Sequence, residues 1–100
     1  MAVVMTMRWD GVTPAQYDQV RDLVRCEQDT PDGALLHVCS FEGGALHVTD
    51  VWGSQEDFER FFADRLAAAI KEAGIEGEPQ TGFRPLHRRF IAPGVTGAAS

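Results

Sequence analysis

The chain has 100 residues, 44% of them apolar and 24% charged, with a net charge of −6. This is the composition of one globular domain of ordinary size, not of a disordered or low-complexity protein. The acidic balance argues against nucleic acid as a partner, because phosphate binding needs clustered Lys and Arg, and no apolar run approaches the ~20 residues of a membrane span.

Residues 2–9 alternate, with Val3, Met5, Met7 and Trp9 on one side and Val4, Thr6 and Arg8 on the other, which predicts a half-buried strand. The opening lacks a basic region and a small-residue cleavage site, so it reads as a strand and not as a signal peptide. A cytoplasmic protein is expected. Thr13-Pro14-Ala15-Gln16 then supplies an N-cap, a proline at the first helical position and a capping-box glutamine. Tyr17, Val20, Leu23 and Val24 follow at helical spacing, which predicts a first helix to about Cys26 or Glu27. Asp29 to Gly33 has turn chemistry.

Strands are predicted over 34–42 and 45–52, joined by Gly43-Gly44, whose freedom at positive φ suits a tight hairpin. Ser54 caps a second helix, with Asp57 three residues on. Phe58, Phe61, Phe62, Leu66, Ala69, Ile70 and Ala73 form its apolar stripe, and Gly74 suits its C-terminal end. Thr81 to Ile91 reads as the last strand, with Pro85 pointing to an edge or bulge. The predicted division is one domain over 1–92 and a loosely held tail over 93–100.

The order is β-α-β-β-α-β. It predicts an α+β, ferredoxin-like fold: a four-stranded antiparallel sheet with two helices on one face. Apolar residues on both strand faces, such as Leu36 and Val38 against Leu35 and Phe41, imply that the other face is covered too. A chain this short benefits from burial against a second copy, so a homodimer is expected.

Pairing around Gly43-Gly44 sets Glu42 opposite Ala45, Phe41 opposite Leu46, Cys39 opposite Val48, His37 opposite Asp50 and Leu35 opposite Trp52. All of these side chains except those of Glu42 and Ala45 are then predicted on one face. A carboxylate beside an imidazole on a mostly apolar face suits a general acid or base, so His37 and Asp50 are the candidate catalytic pair. The competing reading is a cross-strand polar pair that satisfies itself. Trp52, Cys39 and Phe41, with Phe58 and Phe62 from the second helix, are the candidate substrate-binding wall for a hydrophobic small molecule.

Cys26 and Cys39 lack a C-x-x-C arrangement and are expected to be reduced, with Cys39 a small buried hydrophobe. His37, His47 and His87 have no close ligand spacing, so no metal site is predicted. His47 is expected at an interface. Arg84, Arg88 and Arg89, with His87 among them, are expected in the last strand as a solvated rim, or as a clamp for a carboxylate. Phosphate-binding glycine motifs and a serine nucleophile elbow are absent.

The strand-to-helix passage HVTDVWGSQEDFERFF, the PLHRRF of the final strand and the βαββαβ order together resemble the dimeric α+β barrel superfamily over about residues 2–91. Within it the chain is similar to antibiotic biosynthesis monooxygenase-like proteins. The resemblance implies a homodimer with packed sheets and a pocket in each subunit between sheet and helices, lined by Trp52. It also implies an enzyme without cofactor: a monooxygenase, or a cyclase or isomerase, acting on an aromatic or polyketide-like substrate. The alternative is a non-catalytic ligand-binding or structural homodimer. Oxygenases of this group typically use an asparagine, and haem-degrading relatives pair one with a Trp and a His. This chain contains no Asn, so a role for His37 or Asp50 would be a different chemistry.

Overall fold

The computed structural model describes residues 1–97. It contains strand β1 (Val3–Asp10), helix α1 (Pro14–Val24), strands β2 (Ala34–Glu42) and β3 (Ala45–Trp52), helix α2 (Gln55–Phe61), a π-helical turn (Phe62–Leu66), helix α3 (Ala67–Glu72) and strand β4 (Gln80–Pro85). The antiparallel sheet has the order β2-β3-β1-β4, and the helices cover one of its faces. This is the ferredoxin-like α+β fold that the element order predicts. No helix among the described residues is long and apolar enough to cross a membrane.

The local signals act as their chemistry requires. Thr13 Oγ1 accepts the Gln16 backbone N–H at 3.1 Å, and Gln16 Oε1 accepts the Thr13 N–H at 3.0 Å. Ser54 Oγ accepts the Asp57 N–H at 3.1 Å. Each cap satisfies donors that the first helical turn leaves open, a contribution of about 1 kcal/mol. Gly43 and Gly44, at φ 61° and 75°, close the hairpin.

Several boundaries differ from the sequence reading. Helix α1 ends at Val24 because Arg25 takes the left-handed conformation, φ 55° and ψ 39°, and donates its N–H to the Arg21 carbonyl. The second helical stretch is not one continuous α-helix. Ala67 donates to the Phe62 carbonyl, which opens a π turn between α2 and α3. Arg65 projects from that turn to the Val24 carbonyl and, at 2.8 Å, to the Asp29 carbonyl, so it satisfies backbone acceptors at the end of α1 and in the loop that follows it. Strand β4 stops at Pro85 and not at Ile91. Val3↔Pro85 is its last pair with β1, so Arg84 alone of the three C-terminal arginines lies in a strand. Residues 93–97 of the expected tail are exposed, and 98–100 lie outside the described residues.

The core lies between sheet and helices. Met5, Met7 and Trp9 from β1, Leu46, Val48 and Trp52 from β3, Val20 and Val24 from α1, and Phe58, Phe61 and Ala69 from the second helical stretch pack as one cluster. Trp9 resolves its polar atom by donating its indole N–H to the Glu76 carbonyl at 2.9 Å. On the face away from the helices, Thr6, Arg8, His47, Thr49, Gln80 and Gly82 line an open groove of about 420 Å³.

Candidate active site

The hairpin sets the site. Its register runs from Glu42↔Ala45 through Cys39↔Val48 and His37↔Asp50 to Leu36↔Val51. There a bulge intervenes, and Ala34, not Leu35, pairs with Trp52. The extra residue breaks the alternation, so the eight-residue face ends at His37 and Leu35 is left 47% exposed.

Among the described residues Asp50 is the one buried charged side chain, 6% exposed. Two donors justify its burial: His37 Nδ1 lies 2.6 Å from Oδ1, and the Trp52 indole N–H lies 2.9 Å from Oδ2. His37 is 30% exposed at its side chain. Its other nitrogen, Nε2, lies 2.6 Å from the Tyr17 hydroxyl of α1. The His37 and Tyr17 rings are nearly parallel, at 6°. Four side chains from three elements thus form one hydrogen-bonded line: Trp52, Asp50, His37, Tyr17.

The direction of the protons follows from the chemistry. A carboxylate only accepts, so His37 donates from Nδ1 and keeps the lone pair on Nε2. Burial, reinforced by the neighbouring Cys39 thiol and by Asp50 and opposed by Arg21, holds the Tyr17 phenol well above its ordinary range. Tyr17 therefore retains its proton and donates it to Nε2. The arrangement is an imidazole with one fixed tautomer, backed by a buried carboxylate and fronted by a phenol. It can take up or release one proton at its exposed end.

The other residues singled out in the sequence divide into two groups. Phe41, 36% exposed, meets Tyr17 edge-on at a centroid distance of 6.1 Å and belongs to the rim. Cys39 is exposed, not buried as expected, because β2 is an edge strand beyond the main cover of the helices. Trp52 lies in the core, 4% exposed, with ring centroids of Phe58 and Phe61 at 5.6 and 5.4 Å. Phe58 is buried, and Phe62, half-buried, lies 6.1 Å from it. Phe58 packs on Trp52, the member of the polar line it touches, and Phe62 packs behind Phe58.

Tyr17 is the member that sequence reasoning missed. The capping box fixes the phase of α1 and turns Tyr17 toward the sheet with Val20 and Val24. Nothing local to α1, however, says which strand residue it meets. A second groove, about 230 Å³, lies elsewhere, lined by Asp29, Asp32, Asp57, Arg60, Asp64 and Arg65 among others. Among the described residues no three His, Cys, Asp or Glu side chains gather as a metal site.

The fold is represented among solved structures of small α+β proteins. A candidate antibiotic biosynthesis monooxygenase from Caulobacter crescentus is 16% identical, with 87% of this chain and 91% of that one covered at a TM-score of 0.64. SnoaB, a cofactor-independent oxygenase from Streptomyces nogalater, is 16% identical, with 92% and 97% covered and a TM-score of 0.62. A monooxygenase from the gene ActVA-Orf6 of Streptomyces coelicolor, solved in complex with nanaomycin D, is 20% identical, with 91% and 92% covered and a TM-score of 0.59. The chain has the fold of antibiotic biosynthesis monooxygenase-like proteins. No protein-family model and no curated protein matches its sequence.

Proposed function

We propose that this protein is an enzyme that moves a proton on a hydrophobic small molecule, with His37 as the acid–base group. The carrying observation is the line Trp52–Asp50–His37–Tyr17. A substrate C–H or O–H gives its proton to His37 Nε2, directly or through the Tyr17 hydroxyl. Asp50 stabilises the imidazolium that results, and His37 returns the proton at another position. The net reaction is an isomerisation or a cyclisation, and it uses no cofactor. Phe41 and the aromatic side of Tyr17 suit a flat aromatic or polyketide-like substrate at the rim.

A second reading is favoured by the cofactor-independent oxygenase and the monooxygenase among the structural neighbours. In it the deprotonated, electron-rich substrate reacts with molecular oxygen after the same first step. One experiment addresses both. Polycyclic phenols and ketones are incubated in deuterated buffer with and without oxygen, and label uptake and oxygen consumption are measured. Loss of the base lowers exchange by about 10²–10⁴. If His37→Ala and Asp50→Asn both leave exchange unchanged, the acid–base assignment fails, and binding without turnover favours a ligand-binding protein.

The protein is further proposed to act as a homodimer in the cytoplasm. Leu35, Val38 and Phe41, exposed on β2, support pairing, and its two free cysteines suit a reducing compartment. Light scattering that finds a stable monomer at micromolar concentration would overturn the pairing.

A further inference from the structure

The stripe of α1 that turns toward the sheet, Tyr17, Val20 and Val24, is interrupted by one charge. Arg21 stands four residues after Tyr17 and three before Val24, so it shares their side of the helix. Its side chain is only 23% exposed. A guanidinium is placed this deep only with a partner, and Arg21 has one: Nη2 donates to Glu27 Oε1 at 2.5 Å. Among the described residues that is the single oxygen it bonds, although the group carries five N–H donors. Among the described residues no unpartnered side-chain nitrogen is sealed from the surface, so the remaining donors are open to a ligand.

Glu27 is a partner that can leave. It lies in the loop after α1, and its side chain is 35% exposed, so its release to water costs little. Both charges border the proton-transfer line. The Arg21 guanidinium favours the Tyr17 phenolate, against the burial that dominates there. The hydrogen bond from Arg21 holds the Glu27 carboxyl below its ordinary range, with His37 a smaller contributor. The line Trp52–Asp50–His37–Tyr17 therefore ends beside a cation whose counter-ion is free to swing into solvent.

We infer that Arg21 is the anion-binding residue of this site, taking the enolate or phenolate oxygen of the substrate as Glu27 moves out. The inference rests on the proposed proton transfer and names the substrate group that the site selects. The substrate's O–H, or the C–H beside its carbonyl, gives its proton through Tyr17 to His37 Nε2. The electron pair of the broken bond stays on the substrate and ends on oxygen, so no oxidant or reductant is needed. A neutral imidazole and a neutral substrate become an imidazolium and an anion. Asp50 faces the first and Arg21 the second. Before binding, Glu27 balances the charge of Arg21 and keeps its planar fork in place. A compound without an acidic oxygen gains nothing by displacing Glu27, so the ion pair discriminates against it.

Equilibrium binding of two probes to the full chain tests this: para-nitrophenol, at a pH where it is ionised, and its methyl ether para-nitroanisole, which has the same ring and no ionisable oxygen. Arg21→Met, checked for folding by circular dichroism, should weaken nitrophenolate binding about 10–100-fold and leave nitroanisole binding unchanged. Arg21→Lys should restore part of the difference, since it keeps the charge and loses the fork. Glu27→Gln, which leaves Arg21 in place, should tighten nitrophenolate binding about two- to fivefold. If Arg21→Met binds both probes like wild type, if Glu27→Gln weakens the phenolate, or if the wild-type chain binds neither probe, Arg21 is not the anion site. Deuterium exchange into enolisable ketones separates this inference from the reading beneath it. Exchange lost in His37→Ala but intact in Arg21→Met overturns the role of Arg21 and leaves the proton transfer standing. Phenolate selectivity that depends on Arg21, without exchange in the wild type, supports the anion site and removes the proton transfer.

Discussion

Replacing Asp50 separates the structural from the chemical role of its carboxylate. Asp50→Ala leaves two donors without an acceptor. The Trp52 indole N–H sits in a side chain only 4% exposed, so water does not replace its partner. His37, with its side chain 30% exposed, recovers part of its loss from solvent. Hydrogen bonds to a charged group contribute about 1.5–3 kcal/mol each. Taking the indole in full and the imidazole at about half gives a loss of roughly 2–4.5 kcal/mol. For a domain of this size that lowers the melting temperature by about 10–30 °C.

Asp50→Asn has a different expected outcome. The amide oxygen accepts from Trp52 while the amide NH₂ faces Nδ1 of His37. The imidazole then shifts its proton to Nε2, and the Tyr17 oxygen accepts it. The indole and the imidazole keep acceptors while the Tyr17 O–H must turn to solvent, so the cost is about 1 kcal/mol, but the lone pair that takes up a substrate proton is lost. Urea unfolding followed by circular dichroism gives the two stabilities, and nitrogen NMR of the imidazole gives the tautomer. Equal stabilities for the Ala and Asn variants, or an unchanged tautomer in Asp50→Asn, would refute the reasoning.

Tyr17 is the single tyrosine of the chain, so its phenolate absorbance reports on this residue alone. The folded protein should titrate well above the ordinary value of 10.0, because burial disfavours the phenolate. The phenol's contribution to stability is complete below that ordinary value and is lost as pH rises through the elevated folded one. A midpoint at or below the ordinary value would remove Tyr17 as the donor to His37. Arg25→Gly should stabilise the fold by about 0.5–1 kcal/mol, because a side chain at φ 55° is strained and glycine is not; chemical denaturation measures it. Gly33→Ala should destabilise by at least about 2 kcal/mol, since φ is 83° and an added Cβ would lie 2.2 Å from the Asp57 carboxylate. A melting temperature close to wild type would show that the turn before β2 relaxes freely.

The His37–Asp50 pair is readable in the sequence because two adjacent glycines determine the turn, and a turn determines a register. That certainty decays along the hairpin. It holds from Glu42 back to Leu36 and fails at Leu35, where the bulge inserts a residue that no local pattern announces. Tyr17 lies beyond such reasoning because a helix and a strand meet through tertiary packing, and the α1–β2 loop imposes no pairing. The exposure of Cys39 is likewise a matter of strand order: alternation gives the face of a side chain but not whether the helices extend over it. Trp52 and Phe58 illustrate a further limit, since an aromatic wall and an aromatic core have the same composition. The π turn was hidden because Phe58, Phe61, Leu66 and Ala69 satisfy a helical stripe closely enough to conceal one extra residue. Only the reach of Arg65 to the end of α1 shows what the widened turn accomplishes.

The bond between the Trp52 indole and Asp50 makes the protein its own optical probe. Indole emission depends on the local field along the ring, and a carboxylate at 2.9 Å from the indole nitrogen dominates that field. Any compound that draws His37 away from Asp50, or alters the proton between them, changes the signal from Trp52. Trp9, bound to a backbone carbonyl, adds a steady background. Libraries of unlabelled compounds can therefore be screened for engagement of the site before any reaction is known.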